Sequence, residues 1–368
     1  MRSRGCSETE ILCIMKKNLL FTNHVAQAID EIAGKMNPSS VFVLVDVNTK
    51  SFVLPRMLEE SKTVSDARII TIRAGETYKT LLTLSAVWKE LGDAGANRNS
   101  LLINLGGGIV SDTGGFAAAT FRRGIPFLNV PTTLLAAVDA SIGAKTGINF
   151  NELKNEVGVF ADAEMVIVST TFFRTLGSEE LLNGYAEMLK HALLTSPEMT
   201  SRLLAYDVTS YEPDTLLKLI EESVDVKIKY VSEDPADRGL RHALNFGHTF
   251  AHAFEELAMW RKSPLSHGYA VAQGMVAALV LSHMELGFPS DELHKIAAYI
   301  RENYGAFEFT CDDYPRLLGY MERDKKNTTQ GIVNFTLLRS IGSPEVNLPV
   351  SAPNIKAALD IHRDLLGL

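Results

Sequence analysis

Two histidines lie four residues apart in LNFGHTFAHAFEE, residues 244–256. The apolar residues, the alanines and the terminal glutamates are typical of a helix, and this spacing places His248 and His252 on one helical face. Such a pair can be an ordinary hydrogen-bonded pair at the edge of a core. The HExxH metalloprotease pattern is excluded, because it needs a glutamate general base where this chain has Thr249. A metal here needs at least one further ligand from elsewhere in the chain.

Two other stretches offer such ligands. In GYAEMLKHALL, Glu187 and Lys190 lie three apart on a predicted helix among apolar residues, where an exposed ion pair is the ordinary alternative. In PLSHGYAVAQGM, His267 begins a strongly apolar helix. Together with His248, these residues supply one carboxylate and two imidazoles. That is the ligand set of a catalytic zinc with an open coordination position.

A run of glycines in NLGGGIVSDTGG, residues 104–115, joins a predicted strand to a predicted helix. Glycines let a phosphate approach the backbone closely, and a helix N-terminus offers free N–H groups. The pattern differs from GxGxxG, so a plain tight turn stays open as an alternative. Asp46 ends an earlier predicted strand, in the position of the acid that accepts ribose hydroxyls in NAD sites.

The next stretch, FRRGIPFLNVPTTLLAAVDASIGAKTGINF, places polar residues in an apolar frame. They are Thr132, Thr133, Asp139, Lys145, Thr146 and Asn149, and Lys154 and Asn155 follow closely. Buried polar groups must be paired by hydrogen bonds or serve a function such as ligand binding. Because the neighbours of Asp139 and Lys145 are Ala, Val, Ile and Gly, we expect these two charges not to be solvated loop residues.

Strand and helix patterns alternate in the first part of the chain and give way to helices in the second. Apolar β-branched runs at 40–46, 67–75, 100–108 and 125–133 alternate with helical stretches, which predicts a parallel sheet covered on both faces. We therefore predict an α/β nucleotide-binding domain over 16–175 and an all-α metal- and substrate-binding domain over 176–368, with a short β-like return at 331–342. Residues 1–15 are expected to be a dispensable extension.

Composition narrows the class of protein. Of the 368 residues 46% are hydrophobic, and the formal net charge of −8 argues against a general binder of nucleic acid or anionic membranes. Three cysteines without a CxxC pair fit a reducing cytoplasm. The N-terminus lacks a signal-peptide apolar region, and the most apolar helical stretch, around AVAQGMVAALVLSHMEL, is interrupted by Gln273 and Gly274 and is expected to be a buried helix.

Taken in order, the motifs resemble those of the 3-dehydroquinate synthases, within the sugar phosphate cyclase superfamily. The resemblance runs from about Asp46 to about Gly342 and rests on ten motifs. These are GE-x-x-K at Gly75, Glu76 and Lys79; GGG-x-x-x-D from Gly106 to Asp112; F-x-RG from Phe121 to Gly124; PTTLLA-x-VDAS; KTGIN; KN at 154–155; AE-x-x-K from Ala186 to Lys190; R-x-x-LN-x-GHT-x-x-H; HG at 267–268; and DKK at 324–326.

The resemblance implies roles for individual residues. NAD would be held by Asp46, Glu76, Lys79, Gly107, Gly108, Asp112, Thr132, Thr133, Lys145, Lys154, Phe172 and Thr175, and zinc (or cobalt) by Glu187, His248 and His267. The substrate would be 3-deoxy-D-arabino-heptulosonate 7-phosphate, with Lys145, Lys190, Lys227, Arg241 and Lys325 around its carboxylate and phosphate, Asn155, Asn245 and Asp139 on its other oxygens, and His252 facing the phosphate. Arg123 would reach in from a second subunit, which implies a homodimer.

The implied reaction is the conversion of this sugar phosphate to 3-dehydroquinate and phosphate, a step of aromatic amino acid biosynthesis. NAD would be reduced and reoxidised within each turnover. Two departures from the family pattern stand out. Gly143-Ala144 replaces a frequent Gly-Gly before Lys145, and Tyr269 replaces a common Glu after Gly268. Neither departure removes a ligand or a cation, although Tyr269 is expected to alter the surroundings of the metal.

Three alternatives stay open at this point. Another sugar phosphate cyclase would make an inosose or a valiolone from a neutral sugar phosphate, but the cations Lys227 and Arg241, with Asn245, suit a substrate with a carboxylate. A metal-dependent polyol dehydrogenase would release NADH and needs fewer phosphate-directed cations. A non-catalytic NAD- or metal-binding module would have no use for the whole proposed catalytic set.

Overall fold

The computed structural model describes residues 17–151, 153–235, 237–323 and 332–368. The chain divides into two compact units. The first comprises residues 1–181 and 211–228, and the second comprises 182–210 and 229–368. The domain border was predicted between residues 175 and 176, a few residues before the observed border after 181. The prediction also placed residues 211–228 in the helical domain, whereas they belong to the first unit. Residues 1–16, which include the predicted extension 1–15, and Lys325 lie outside the described residues.

A six-stranded parallel sheet forms the centre of the first unit. Its strands are β1 Leu19–Phe21, β2 Val41–Asp46, β3 Arg68–Ile72, β4 Leu101–Gly106, β5 Phe127–Pro131 and β8 Met165–Val168, in the order β1-β8-β5-β4-β2-β3. Strands β4 and β5 are buried at every position, as expected when helices cover both faces. The four predicted strands are β2 to β5. Strands β1 and β8 span only three and four residues, too few to show a periodicity.

Helices surround this sheet. They are Val25–Met36, Val47–Phe52, Leu54–Glu60, Lys62–Ser65, Leu81–Asp93, Gly108–Thr120 and Pro213–Glu233, the last belonging to this unit as far as Ile228. The helix Gly108–Thr120 approaches the sheet closely, because a Cβ at Gly114 would lie 1.9 Å from Asn104 Oδ1. A glycine at this position therefore lets the helix that follows the glycine turn lie directly on the strand before it.

The first unit also carries a two-stranded antiparallel hairpin of β6 Lys145–Phe150 and β7 Leu153–Phe160. Strand β6 packs on the helix Gly108–Thr120, where a Cβ at Gly115 would lie 2.5 Å from Thr146 Cγ2. Strand β7 is exposed at all eight of its positions. From the sequence this stretch was predicted only to place polar residues in an apolar frame, and the hairpin was not predicted.

The secondary structure of the second unit, over the residues that the structure describes, is helical except for one hairpin. Its helices are Ser178–Leu193 from Leu182 onward, Pro197–Ala205, the end of Pro213–Glu233, His248–Trp260, His267–Leu286, Ser290–Tyr304, Tyr314–Glu322 and Ala352–Leu366. The hairpin pairs β9 Val333–Ser340 with β10 Ser343–Val350 and contains most of the predicted β-like return. The predicted helical second domain with a short β-like return is therefore confirmed.

The helix His267–Leu286 lies at the core of the second unit. Fourteen of its 20 residues are buried, as predicted for this apolar stretch. Among the described residues it is the one helix with the length and apolar composition of a membrane span. Burial inside the unit accounts for that composition equally well, because a core helix is apolar on all sides.

Candidate metal centre and cofactor site

The sheet of the first unit reverses its strand order between β2 and β4. From β2 the chain continues to β3 on one side, whereas from β4 it continues to β5 on the other. In open parallel sheets, ligands bind at the carboxyl ends of the strands at such a reversal. Asp46 ends β2 and the glycine turn follows β4, so both sequence-predicted elements lie at this point.

The glycine turn holds its backbone in close contact with its surroundings. Gly106 ends β4, Gly107 is the N-cap residue and the helix begins at Gly108. A Cβ at Gly106 would lie 2.4 Å from Val110 Cγ2, and one at Gly107 would lie 3.2 Å from Thr133 Cγ2. The turn before the helix therefore admits no side chain at Gly106. A helix N-terminus that follows such a turn is suited to binding a phosphate group.

Asp46 has a structural role in addition to its predicted one. Its Oδ1 accepts hydrogen bonds from the backbone N–H groups of Asn48 and Thr49, both at 2.8 Å. This bond pattern is that of a helix N-cap. Both bonds use Oδ1, so the cap leaves Oδ2 for a ligand hydroxyl.

Lys79 is the centre of a cluster of predicted cofactor and substrate residues. Its ammonium is buried and lies 2.5 Å from Asp112 Oδ2, and it also donates to Asn155 Oδ1. Asn149 connects the same elements, because its Nδ2 donates to Glu76 Oε1 at 2.8 Å and its Oδ1 accepts from the N–H of Asn155 at 2.8 Å. Burial raises the pKa of Asp112 to about 6, although the Lys79 charge opposes that shift.

A second cation of the first unit is held by a carboxylate. Lys227 is buried, and its Nζ lies 2.5 Å from Asp139 Oδ1 and 2.6 Å from the Asp139 carbonyl. Lys145, by contrast, is exposed, which contradicts the expectation that it lies in an apolar setting. The reason is its position at the start of β6, on the hairpin rather than in the sheet. Ala144 has a φ of 63°, a left-handed conformation that glycine adopts more readily than alanine.

The other predicted residues of the first unit lie at varied depths. Thr132 and Phe172 are buried, and Thr133 Oγ1 accepts from the N–H of Ala136 at 3.2 Å. Thr175 Oγ1 donates to the Phe172 carbonyl at 2.8 Å. Lys154, on β7, is exposed.

Arg123 is exposed at the end of a short 3-10 turn, Phe121–Arg123. Its φ of 68° and that of 51° at the preceding Arg122 lie in the left-handed region. This backbone conformation is uncommon for residues other than glycine, asparagine and aspartate.

In the second unit, the helix predicted over 244–256 begins later than expected. A 3-10 segment, Leu240–Asn245, comes first, and the helix runs from His248 to Trp260. Gly247 breaks the pattern with a φ of 78°, and a Cβ there would lie 2.9 Å from Met275 Cγ. We call His248–Trp260 the histidine helix; it places His248 at the first helical position.

Three predicted metal ligands converge in this unit. Glu187 Oε1 lies 3.4 Å from His248 Nε2 and 3.5 Å from His267 Nε2, and the three donor atoms fit within 4.8 Å of one another. Metal–ligand bonds of about 2.0–2.1 Å at tetrahedral angles place neighbouring donor atoms about 3.4 Å apart. The two separations from Glu187 Oε1 therefore match those of a tetrahedral zinc site, with Glu187 fully buried and His267 partly exposed.

The second nitrogen of each histidine ring is also engaged. His248 Nδ1 lies 3.2 Å from the Phe246 carbonyl, and His267 Nδ1 lies 3.3 Å from Glu255 Oε1. Donation by Nδ1–H in each ring leaves the Nε2 lone pair for a metal. Neither contact was predicted from the sequence.

The surroundings of the two histidine rings shift their pKa values in opposite directions. Burial, together with the Lys190 ammonium, lowers the pKa of His248 to about 4. Burial also acts to lower the pKa of His267, but hydrogen bonds and charge from Glu187 and Glu255 outweigh it and raise that pKa to about 10. The pKa of Glu187 lies well below its usual value despite burial, because Lys190 and the two histidines favour its ionised form.

Lys190 does not form the exposed surface ion pair with Glu187 that the sequence left open as an alternative. It is 2% exposed and forms an ion pair with Glu187. Arg241 is likewise buried, whereas Asn245 is half-buried and His252 is exposed on the histidine helix. The ring centroids of His248 and His252 are 5.5 Å apart.

A further contact connects two ligand-bearing helices. Asn183 Oδ1 accepts a hydrogen bond of 2.6 Å from the N–H of Gly268, next to His267. A Cβ at Gly268 would lie 1.8 Å from the Asn183 carbonyl oxygen, so glycine is required at this close approach. Asn183 lies one turn before Glu187 on the same helix. Its hydrogen bond to Gly268 therefore holds the backbone next to His267 close to the helix that carries Glu187.

Two family models match the chain in tandem. They are described as 3-dehydroquinate synthase N-terminal, over residues 69–183, and 3-dehydroquinate synthase C-terminal, over residues 184–327. A 3-dehydroquinate synthase of Parabacteroides distasonis is 42% identical over 353 residues, which are 96% of this chain and 99% of that relative.

Solved structures of other cyclases share the fold. A 2-deoxy-scyllo-inosose synthase complexed with carbaglucose-6-phosphate, NAD+ and Co2+ has a TM-score of 0.80 at 23% identity, covering 94% of this chain and 96% of that one. A 2-epi-5-epi-valiolone synthase of Streptomyces hygroscopicus with bound NAD+ and Zn2+ has a TM-score of 0.80 at 24% identity, covering 99% of both chains. At these identities the likeness concerns the fold.

Proposed function

We propose that this chain, which belongs to the 3-dehydroquinate synthase family, converts 3-deoxy-D-arabino-heptulosonate 7-phosphate to 3-dehydroquinate and phosphate. The observation that carries the proposal is the convergence of Glu187, His248 and His267 at metal-binding separations in a chain that matches both family models. The reaction consists of oxidation at carbon 5, loss of phosphate, re-reduction, ring opening and aldol closure.

The described residues fit the two groups that this reaction needs. A divalent ion, zinc or cobalt, would take Glu187 Oε1 and the Nε2 atoms of His248 and His267, and NAD+ would take the glycine turn and Asp46. When bound, the ion supplies a Lewis acid for the carbon 5 hydroxyl and NAD+ supplies a reversible hydride acceptor. The ionised state of Glu187 and the Nδ1 contacts of both histidines favour metal binding.

The buried cations suit an acidic sugar phosphate. The ammonium of Lys227 is fixed by Asp139, and that of Lys190 by Glu187, so each is held in place before a substrate binds. Arg241 adds a guanidinium that is 4% exposed, a group suited to a carboxylate or a phosphate. We assign Lys145, Lys190, Lys227, Arg241 and Lys325 to the carboxylate and the phosphate, with His252 on the phosphate side.

Neutral side chains would orient the remaining oxygens. Because Asn155 Oδ1 accepts from Lys79, its Nδ2 donors are left for a substrate hydroxyl. Asn245 and Asp139 are assigned to the same task. Glu76, Lys79, Asp112, Thr132, Thr133, Lys154, Phe172 and Thr175 are assigned with Gly107 and Gly108 to the cofactor.

Identity favours this activity over that of the other cyclases. The chain is 42% identical to a 3-dehydroquinate synthase over nearly its whole length, against 23% and 24% to the inosose and valiolone synthases. The buried Arg241 and Lys227 also suit a carboxylate, which the substrates of those cyclases lack. A polyol dehydrogenase would need neither cation.

The proposal includes a cytoplasmic homodimer in which Arg123 acts in the site of the neighbouring copy. Arg123 is exposed on a turn, as such a role requires. The hairpin of β6 and β7 offers an apolar surface for a second copy, since Phe150, Leu153 and Phe160 are 42%, 52% and 60% exposed. Light scattering and a mixing experiment would test it: Arg123→Ala mixed with Lys190→Ala should regain activity if Arg123 acts across subunits.

The first test is turnover of the proposed substrate. Chelator-stripped protein receives 3-deoxy-D-arabino-heptulosonate 7-phosphate and catalytic NAD+, with and without Zn2+. We expect metal-dependent phosphate release, 3-dehydroquinate as product and no net NADH. Turnover of glucose 6-phosphate or sedoheptulose 7-phosphate instead would assign the chain to another cyclase. Accumulation of NADH on a simple polyol would indicate a dehydrogenase.

A further inference from the structure

We propose that Glu255 is a positioning residue of the metal centre, which strengthens metal binding by fixing the orientation and tautomer of His267. The inference rests on the proposed function only in assigning His267 as a metal ligand. None of the motifs in the sequence analysis assigns a role to Glu255.

The imidazole of His267 lies between two carboxylates. Glu255 Oε1 is 3.3 Å from Nδ1, and Glu187 Oε1 is 3.5 Å from Nε2 on the other side of the ring. With Nδ1–H donating to Glu255, the Nε2 lone pair faces the proposed metal position beside Glu187. A neutral ring left to itself exchanges between two tautomers, and only one of them presents Nε2 as a ligand atom.

The two histidine ligands are held differently. The Nδ1 of His248 contacts the Phe246 carbonyl, which comes from the backbone just before the histidine helix. The Nδ1 of His267 contacts a side chain with a full charge, and charge-assisted hydrogen bonds are roughly twice as strong as neutral ones. His267 is also the more exposed ring, at 29% against 12%, and therefore has less packing to hold it.

Burial separates Glu255 from an ordinary surface glutamate. It is 3% exposed, on a face of the histidine helix beside the buried Phe254 and Ala251. Burying an ionised carboxylate is unfavourable unless it is paired. The adjacent Glu256 gives the contrast, because it is half-exposed and pairs with the exposed Arg323 at 3.0 Å. Glu256 is therefore a matched control one residue away.

The test measures zinc affinity directly, by competition with a chromophoric chelator at a fixed neutral pH. We compare Glu255→Gln, Glu255→Ala and Glu256→Gln with the unaltered chain. We expect Glu255→Ala to bind zinc about 10–100-fold more weakly. Glu255→Gln should lie in between, because its amide oxygen still accepts from Nδ1–H without the charge. Glu256→Gln should bind like the unaltered chain.

A second readout separates positioning from general destabilisation. In the zinc-loaded protein, nitrogen-15 spectra of the imidazoles should show His267 with zinc on Nε2 and a slowly exchanging proton on Nδ1, and Glu255→Ala should make that proton exchange faster with water. Zinc affinity of Glu255→Ala within twofold of the unaltered chain would overturn the inference. So would weaker binding that is fully explained by partial unfolding of the metal-free variant. If the unaltered chain itself binds no zinc, the metal centre of the proposed function fails instead.

Discussion

The two units hold their functional groups in different ways. In the first unit, the buried cations Lys79 and Lys227 are each matched by a carboxylate, that of Asp112 and that of Asp139. In the second unit, three donor atoms project from three helices toward one point. The first unit therefore has charges that are balanced before any ligand binds. The second has donors whose separations suit one small ion.

The difference predicts different responses to substitution. A metal centre needs each of its ligands, so removing one should weaken metal binding severely. A network of paired charges loses part of its stability and part of its affinity when one member is removed. The predictions below test this contrast, in order of decreasing expected effect.

The largest effect is expected for His248→Ala. Loss of a ligand should weaken zinc binding by more than the roughly 10–100-fold typical of a partner outside the ligand set. Turnover should fall with it. Zinc titration and phosphate release measure the two effects separately.

His252→Ala is the matched control for that substitution. This residue lies one turn away on the same helix and is exposed. We expect zinc affinity to be retained and turnover of the sugar phosphate to decrease. Equal loss of zinc in both variants would mean that His252 belongs to the ligand set.

Lys79→Met is the corresponding test in the first unit. It leaves Asp112, whose pKa burial already raises to about 6, without its cation. We expect NAD+ affinity to drop at least tenfold and the free energy of unfolding to decrease by about 3 kcal/mol. Fluorescence titration and urea unfolding measure these changes. Lys89→Met is the control, because its ion pair with Asp93 is exposed and should contribute nothing measurable.

A pH-dependent effect is expected in the second unit, away from the metal. Burial among aromatic rings lowers the pKa of His362 to about 4, from 6.5 in the unfolded chain. Between these values only the unfolded state binds the proton, so stability is fully present above pH 6.5 and falls as the pH drops to 4. The loss approaches about 1.4 kcal/mol per pH unit.

His362→Phe should remove that part of the slope and leave the stability above pH 7 little changed. The exposed His294→Phe is the control and should keep the slope. Urea unfolding at several pH values gives the free energy of unfolding of each variant and of the unaltered chain. The contributions of other titrating groups cancel in the difference between the two. An unchanged slope in His362→Phe would show that this ring is protonated in the folded chain.

The smallest effect is expected for Ala144→Gly. Its φ of 63° is strained for alanine, by roughly 1–2 kcal/mol, whereas glycine adopts it readily but loses more freedom on folding. The net gain in unfolding free energy should be about 0.5–1 kcal/mol. Ala86→Gly, at an exposed position in the helix Leu81–Asp93, should instead lose about 1 kcal/mol.

The sequence predicted the longest and most regular elements well. Strands β2 to β5 and the helices of the second unit carry clear periodicities, and the structure contains them near the predicted positions. Strands β1 and β8 are too short for a pattern, and β7 lacks one because it is exposed throughout. The start of the histidine helix was misplaced because Gly247 adopts a left-handed conformation that the apolar pattern around it does not reveal.

For the candidate site, residue types were more predictable than their surroundings. Glu187, His248 and His267 could be selected from the sequence, and the structure places their donor atoms together. The contacts of Glu255 and Asn183 depend on how helices pack and left no local signal. Lys145 was expected among apolar groups because its chain neighbours are apolar, but sequence neighbours do not determine which way a hairpin residue faces.

The origin of the three donors on three separate helices has a consequence for the order of folding. In small zinc-binding domains, ligands close in sequence let the ion nucleate the fold. Here Glu187, His248 and His267 meet only after the helices Ser178–Leu193, His248–Trp260 and His267–Leu286 have packed, with Asn183 bound to Gly268. An ion would therefore enter late, into a unit already assembled, and its uptake would report that assembly was complete.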